Sequence, residues 1–276
     1  TVTVSAGATL VRHSDPVSEV AETTAKASGM LAALGLRPRR EVRETPLLAD
    51  LPGVRDALEA RNESLAAFWL SPQERRPDPE LVGREVLVVD AEDMWTQMLA
   101  HQLRHLGLDA RVVRWEAATP DDVGEPDLVL FGPGPGDPAD DDPRMSRLRE
   151  LIGARLAAGG PLLAVCLSHQ VLSGMAGLEI AKLPAPNQGV QIEVDLWGTP
   201  ARIGFYNTFV AQPGPARLER AGAEVVLEVA AHSQHGVVAL RGPGVATIQG
   251  HAESVLSRDG LVALHAMIRH VLGLDR

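Results

Sequence analysis

The chain contains one cysteine, Cys166, which directly follows the apolar run Leu162–Val165. His251 and Glu253 lie just past a second strand-like run, ATIQ, much further along the sequence. A thiolate nucleophile requires an acid–base group, and that group requires an acceptor that orients it. These three residue types therefore indicate nucleophilic catalysis by a cysteine. The alternative is a buried core cysteine with a structural histidine, since free Cys is among the most buried residue types.

The segment around Cys166 predicts the local structure that such a nucleophile requires. PLLAVCLSHQ, residues 161–170, begins with a short apolar run bounded by Gly and Pro, which is typical of a buried strand. The residues after Gln170 can form a helix. A strand, a sharp turn and a helix would place Cys166 at a nucleophile elbow, where the helix N-terminus favours a thiolate.

A second candidate element is the heptapeptide GPGPGDP, residues 132–138, which follows the apolar run DLVLF. It is not a dinucleotide-binding fingerprint, because G-x-G-x-x-G would require glycine where Asp137 stands, and its prolines remove backbone donors. A proline-stiffened turn with Gly134 and Gly136 can instead hold a backbone N–H towards a bound carbonyl oxygen. An ordinary turn is the alternative.

Strands and helices alternate after residue 84. EVLVVD predicts a buried strand, residues 94–107 predict an amphipathic helix that stops at Gly107, and ARVVRW and DLVLF predict two further strands. This order predicts an α/β fold of flavodoxin-like architecture, with a mainly parallel sheet flanked by helices. Ligands bind such sheets at the carboxyl ends of the strands.

Composition excludes several classes of protein. The 276 residues are 45% hydrophobic and 22% charged, as in an ordinary globular chain. A net charge of −10 argues against a nucleic-acid or anionic-membrane surface, and no apolar run reaches membrane-spanning length. A single cysteine predicts a reducing, cytoplasmic location. Because the chain opens with Thr1 rather than Met, we expect it to be part of a longer protein.

The histidines do not predict a zinc site. The pairs His101/His105 and His232/His235 lack further ligands in the sequence. The H-x-E pattern at His251 also occurs in zinc deaminases, but no P-C-x-x-C follows it here. We therefore predict no metal site in residues 84–276.

Residues 1–36 are predicted to be the end of a different domain. TVTVSAGATLVR predicts two strands around a Gly turn, and the next segment predicts a helix capped by Ser14 or Asp15. The pattern AGATLVRHSDP..E..ET..K resembles the C-terminal end of chorismate-binding enzymes. In that family the position of Glu22 binds magnesium and that of Lys26 lies by the substrate carboxylate, so the resemblance implies a Mg²⁺ ligand only in a complete synthase domain. Without the resemblance, these charges indicate a solvated helix face.

Residues 37–83 are rich in proline and arginine and predict a linker to a domain at 84–276. Within this linker, VRDALEARNESLAAFWL, residues 54–70, has helical spacing. Phe68 and Trp69 on its apolar stripe predict a docking face onto a neighbouring domain rather than a ligand site.

In order, the motifs from residue 84 to about residue 274 resemble those of the class I (triad) glutamine amidotransferases. GPGPGDP matches the oxyanion and glutamine loop, CLSHQ the nucleophile elbow, HAES the His-x-Glu end, and FYNTF replaces the Y-H-S-L glutamine clamp. FYNTF and PNQGVQ look most like the phenazine-pathway 2-amino-2-deoxyisochorismate synthases and fused anthranilate synthases, which join a chorismate-binding domain, a linker and an amidotransferase. Gly250 and Ala252 stand where the family often has Phe and Pro, which predicts a looser loop.

The resemblance implies a role for each matched position. Cys166 would attack the glutamine side-chain amide, His251 would move protons, and Glu253 would orient His251. Glutamine and the oxyanion would be held by the set Gly134, Pro135, Gly136, Leu167, Gln170, Thr208 and Phe209.

The resemblance also implies the partners. These are L-glutamine and a chorismate-binding synthase domain, and the full-length enzyme would be a homodimer. The complete synthase would require Mg²⁺, whereas the glutaminase part would require no cofactor. Neither nucleic acid nor a membrane is expected. The alternatives are the amidotransferase portion of a tryptophan-type anthranilate synthase and a non-catalytic docking subunit of the same fold.

Overall fold

A computed structural model describes residues 3, 5–38, 47–73 and 77–275 of the chain. The chain forms two compact units, residues 1–57 and 58–276. The domain boundaries predicted from the sequence, after residues 36 and 83, stay predictions, and residues 39–46 and 74–76 of the predicted linker lie outside the described residues. Within the described residues, no helix is long and apolar enough to span a bilayer.

The first unit consists mainly of one helix, α1 (Pro16–Ala33), followed by a 3₁₀ turn at Leu48–Asp50. Asp15 caps α1 as predicted, because its carboxylate accepts the Ser18 N–H at 2.8 Å. Residues 5–11 form no strand, so the predicted strand pair is wrong over this stretch, while residues 1, 2 and 4 lie outside the described residues. A strand requires a neighbouring strand for its backbone hydrogen bonds, and the described residues of this unit offer none.

The helix predicted at residues 54–70 is two helices, α2 (Val54–Asn62) and α3 (Ala67–Leu70). The chain leaves helical geometry between them, where the Ala66 N–H donates to the Val255 carbonyl at 2.8 Å. That tertiary hydrogen bond replaces the intrahelical one, and no local sequence pattern contains it.

The second unit is built around one large sheet. After α3 its elements in chain order are β1 (Glu85–Asp90), α4 (Thr96–Leu106), β2 (Asp109–Arg114), α5 (Pro120–Gly124), β3 (Leu128–Phe131), α6 (Pro143–Ala157), β4 (Leu162–Val165), α7 (Leu167–Met175), β5 (Ile180–Lys182), β6 (Val190–Leu196), β7 (Thr199–Phe205), β8 (Phe209–Ala211), β9 (Ala216–Arg220), β10 (Ala223–His232), β11 (Gly236–Gly242), β12 (Val245–Ile248) and α8 (Gly260–Val271).

The large sheet has eight strands in the order β2-β1-β3-β4-β12-β11-β10-β9. The strands from β2 to β12 in this order are parallel, and β11, β10 and β9 pair antiparallel with their neighbours. Two small sheets, β5-β8 and β6-β7, complete the unit. This arrangement confirms the predicted α/β fold with a mainly parallel sheet, and the predicted strand EVLVVD has the bounds of β1.

Alternate residues of the central strands face opposite layers of the core. Val86 and Val88 pack in the cluster that includes residues of α4 and α8, whereas Leu87 and Val89 pack with residues of α6 and α7. All four are at most 1% exposed. Burial on both faces explains why the four central residues of EVLVVD are all apolar.

The parallel strands place the candidate segments at one edge of the sheet. Gly132 follows β3, Cys166 follows β4, and Gln249 follows β12. Val165 of β4 is in register with Ile248 of β12, and the Cys166 N–H donates to the Ile248 carbonyl at 2.9 Å. Segments far apart in the sequence therefore meet beside Cys166, at the carboxyl ends of the strands.

Candidate active site

Cys166 forms the sharp turn between β4 and α7. Its backbone has φ +51° and ψ −105°, a conformation that residues other than glycine rarely adopt. Between residues 164 and 168, positive φ is confined to Cys166, so the side chains of Ala164 and Ser168 fit on either side of it. The Ser168 hydroxyl donates to the Gly132 carbonyl at 2.6 Å and thereby ties the elbow to the GPGPGDP loop.

His251 and Glu253 form a buried pair next to the sulfur of Cys166. The Nδ1 atom of His251 lies 2.7 Å from Oε1 of Glu253, and the two side chains are 3% and 0% exposed. Burial lowers the pKa of His251, but the charges of Cys166 and Glu253, and hydrogen bonds to both, raise that pKa well above its ordinary value. The structure therefore brings the three predicted residues together and favours an imidazolium beside the sulfur.

Backbone hydrogen bonds hold the loop that carries His251. The His251 N–H donates to the Gly204 carbonyl at 2.8 Å, and the His251 carbonyl accepts from the Ser257 hydroxyl. A Cβ atom on Gly250 would lie 2.4 Å from Cγ2 of Ile203, so this position has no room for a side chain. Gly250 thus packs against β7, and the prediction of a looser loop stays a prediction.

Two aromatic rings flank His251. The Trp95 and Tyr206 rings lie edge-on to the imidazole, with centroid distances of 5.0 and 5.3 Å. The Tyr206 hydroxyl is within hydrogen-bond distance of the Ser254 hydroxyl, at 2.9 Å. Neither ring was assigned to the site from the sequence, although Tyr206 belongs to FYNTF and could have been found there. Together the rings limit the access of water to the imidazole.

A chain of side-chain amides connects the FYNTF segment with the sulfur. The Gln170 amide donates to the Phe209 carbonyl at 2.7 Å and to Oε1 of Gln249 at 2.9 Å. Gln249 in turn directs its Nε2 towards the Cys166 sulfur at 3.7 Å. Gln249 was missed from the sequence, although its position two residues before His251 was a signal that could have identified it.

His169, the neighbour of Gln170, is a structural histidine. Its Nδ1 lies 2.7 Å from the Thr247 hydroxyl, and burial lowers its pKa to about 4. His169 is therefore neutral, in contrast to His251.

The GPGPGDP loop requires its glycines. A Cβ atom on Gly134 would lie 2.1 Å from the Ala91 carbonyl oxygen, and Gly136 has φ +123°. Pro135 stiffens the chain between them. Leu167 is the first residue of α7, so its N–H has no acceptor within the helix. The use of the Gly134 and Leu167 N–H groups as an oxyanion hole stays a prediction.

The predicted glutamine clamp lies beside Gln170. The Phe209 carbonyl accepts from the side chains of Gln170 and Asn207, and the Thr208 carbonyl accepts the Leu183 N–H at 2.8 Å. Both carbonyls are thus already paired within the protein. The role of Thr208 and Phe209 in holding glutamine stays a prediction.

Glu22 and Lys26 do not form a magnesium site in the described structure. The Glu22 carboxylate lies 2.5 Å from the Lys26 ammonium, one turn along α1, and both side chains are 52% exposed. Across residues 3, 5–38, 47–73 and 77–275, no group of three or more His, Cys, Asp or Glu residues could hold a metal ion. The role of Glu22 as a Mg²⁺ ligand in a complete synthase domain stays a prediction.

The other histidines have local partners. His101 lies against Trp69 and within hydrogen-bond distance of Gln73, at 2.5 Å. The His232 and His235 rings are 4.8 Å apart, and burial together with the charge of His232 lowers the pKa of His235.

Comparisons with known proteins show which protein family the chain matches. Residues 87–270 match the family model described as glutamine amidotransferase class-I. The chain is 44% identical over 275 residues to a Pseudomonas fluorescens protein named "Anthranilate synthase, phenazine specific", a match that covers 98% of this chain and 42% of that protein. It is 33% identical to an Azospirillum brasilense protein named "Anthranilate synthase", over 98% of this chain and 33% of that protein.

The chain thus spans about two fifths of the length of the phenazine-specific relatives. Among solved structures, a Thermoplasma acidophilum protein described as a component of GMP synthase matches with a TM-score of 0.55 and 16% identity, covering 69% of this chain and 93% of that one. At this identity the likeness concerns the fold alone.

Proposed function

This chain belongs to the class-I glutamine amidotransferases, and we propose that it is the glutaminase portion of a chorismate-aminating synthase. One arrangement carries the proposal: Cys166, strained at the strand–helix turn, lies beside the buried His251–Glu253 pair. A raised imidazole pKa next to the only thiol in the chain is the arrangement that a cysteine nucleophile requires.

The reaction follows from these positions. The Cys166 thiolate attacks the side-chain amide carbon of glutamine, and the N–H groups of Gly134 and Leu167 stabilise the resulting oxyanion. His251 donates its proton to the departing ammonia, so that the C–N bond breaks and a glutamyl thioester remains. His251 then takes a proton from water, which attacks the thioester and releases glutamate. Glu253 keeps the Nδ1–H of His251 oriented throughout.

The resemblance to phenazine-specific relatives over 98% of the chain supports a synthase as the consumer of ammonia. We propose that ammonia adds to chorismate on a synthase domain that requires Mg²⁺, in a cytoplasmic homodimer of the full-length protein. The proposed product is 2-amino-2-deoxyisochorismate. An anthranilate synthase would instead go on to eliminate pyruvate.

The test uses the full-length protein and its Cys166→Ser variant. The parent is expected to release glutamate from glutamine, and Cys166→Ser is expected to abolish this release, because a hydroxyl in place of the thiolate is a far weaker nucleophile. Synthesis from chorismate with free ammonia should survive in the variant, which shows that the protein is folded. Glutamate release by Cys166→Ser at the parental rate would contradict the proposal.

The product assay separates the remaining alternatives. Retention of the enolpyruvyl group in the aminated product supports the aminodeoxyisochorismate reaction, whereas release of one pyruvate per chorismate supports anthranilate synthase. A parent that neither releases glutamate nor forms a thioester with a glutamine analogue would instead be a docking subunit.

A further inference from the structure

Residues 64–70, here called the strap, lie on the loop that carries the catalytic acid–base pair. The indole Nε1–H of Trp69 donates to the Glu253 carbonyl at 2.8 Å, and the Ala66 N–H donates to the Val255 carbonyl at 2.8 Å. The Gln191 amide donates to the carbonyls of Ser64 and Leu256, at 2.6 and 2.7 Å. Hydrogen bonds therefore connect the strap directly to Glu253 and Val255, and to Leu256 through the Gln191 side chain.

Packing fixes the Trp69 ring in this position. The ring stacks on His101 of α4 at an interplanar angle of 29°, and Phe68 contacts it edge-on at 4.7 Å. The same helix also contacts the catalytic loop directly, where the Gln102 amide is 3.5 Å from the Ala252 carbonyl. Trp69 therefore contacts both α4 and the Glu253 backbone.

The Glu253 carboxylate depends on this support. Its Oε1 orients His251, but its buried Oε2 has no hydrogen-bond partner among the residues that the structure describes. Among the described residues, His251 is thus the one hydrogen-bond partner of this carboxylate, so no second hydrogen bond would hold its orientation if the peptide moved. A shift of the Glu253 peptide would therefore displace Oε1 from Nδ1 of His251.

We propose that Trp69 is a positioning residue for the His251–Glu253 pair and acts through its hydrogen bond to the Glu253 carbonyl. The proposal rests on the proposed function, since it concerns the same reaction. Trp69 precedes the residues 87–270 that match the family model, so this support for the pair comes from outside the matched region. The indole N–H of Trp69 is bound to the Glu253 backbone, so its proposed effect on the reaction is indirect, through the position of Glu253.

The test replaces Trp69 by Phe, which keeps an aromatic ring and removes the N–H. The matched control is Trp115→Phe, because the buried Trp115 Nε1 has no hydrogen-bond partner among the described residues. Trp69→Phe is expected to lower kcat for glutamine hydrolysis by about five- to tenfold with KM within about twofold, as loss of one partly buried hydrogen bond predicts. The alkaline limb of its pH profile should move to lower pH, because the contribution of Glu253 to the raised pKa of His251 weakens.

A second readout does not require glutamine. Cys166 is the only cysteine, so its alkylation by iodoacetamide reports this site alone. The reactive form of a cysteine is its thiolate, which a neighbouring imidazolium stabilises, so we expect Trp69→Phe to slow alkylation at pH 7 by about threefold or more. Replacement of Trp69 by benzothienylalanine, which keeps the ring shape without the N–H, should give the same result if Trp69→Phe does not fold.

The outcomes separate the two proposals. A parent whose glutamine hydrolysis does not depend on Cys166 contradicts the proposed function, and the alkylation assay still decides the role of Trp69. Identical kcat, pH profile and alkylation rate in the parent and the Trp69 variants would overturn the positioning role alone. A decrease of the same size in Trp115→Phe would overturn it as well.

Discussion

The Nε2 atom of Gln249 lies 3.7 Å from the Cys166 sulfur, and its Oε1 atom accepts a hydrogen bond from the Gln170 amide at 2.9 Å. This double contact fixes which end of the amide faces the thiol, because only the nitrogen can donate to a thiolate. Gln249 is 0% exposed, so water cannot replace it. The nucleophile thus has a hydrogen-bond donor that no sequence motif assigned to it.

Replacement of Gln249 by Met is expected to slow glutamine hydrolysis by about tenfold, because a donor to a charged group is lost without a large change of volume. Gln249→Glu should slow it further, since a second negative charge would face the thiolate. Steady-state release of glutamate measures both effects. Gln212→Met, at an exposed position, serves as the control and should keep the parental rate. A parental rate in Gln249→Met would show that the contact has no catalytic effect.

The pH dependence of glutamine hydrolysis should respond to Glu253. Burial lowers the pKa of His251, and the charges of Cys166 and Glu253 raise it above its ordinary value. The imidazolium that protonates ammonia exists below this pKa and is lost as pH rises through it. Removal of one raising charge in Glu253→Gln therefore lowers the pKa of His251, so activity should be lost at a pH lower by about one unit or more.

His251→Ala, which lacks the acid–base group, should reduce turnover by about two to four orders of magnitude at every pH. The measurement is kcat/KM for glutamine across the pH range, with Glu193→Gln, an exposed carboxylate on β6, as the control. An alkaline limb that stays in place in Glu253→Gln would contradict the assigned role of Glu253.

The crowding at Gly250 should make an alanine variant at this position less stable. A Cβ atom there would lie 2.4 Å from Ile203, so Gly250→Ala is expected to lower the free energy of unfolding by about 1–3 kcal/mol. The same substitution at Gly153, in the interior of α6 with no atom within 4 Å of a new Cβ, should raise that free energy by about 0.5–1 kcal/mol. Urea unfolding of both variants measures the two changes. An equal change in the free energy of unfolding in both variants would mean that the loop at Gly250 moves to accommodate the new Cβ atom.

The parts of the structure that the sequence predicted are those with a local signal. The apolar runs of β1, β3, β4 and β12 mark buried strands, and the residues that follow them supply Cys166, the GPGPGDP loop and His251. The parts that were missed depend on contacts between distant residues. Trp69 and Glu253 are 184 residues apart in the sequence, and the break in the predicted helix at residues 54–70 depends on a hydrogen bond to Val255. Similarly, strand-like residues 5–11 remain without a sheet, because propensity alone provides no pairing partner.

The position of the strap has a consequence for protein engineering. A gene fragment that begins at residue 84 would encode the whole large sheet with Cys166, His251 and Glu253, and would look complete by its motifs. It would nevertheless lack Trp69 and Ala66, and two carbonyls of the catalytic loop would lose their donors. Chimeras that transfer this glutaminase to another synthase should therefore be joined before residue 58, where the second compact unit begins.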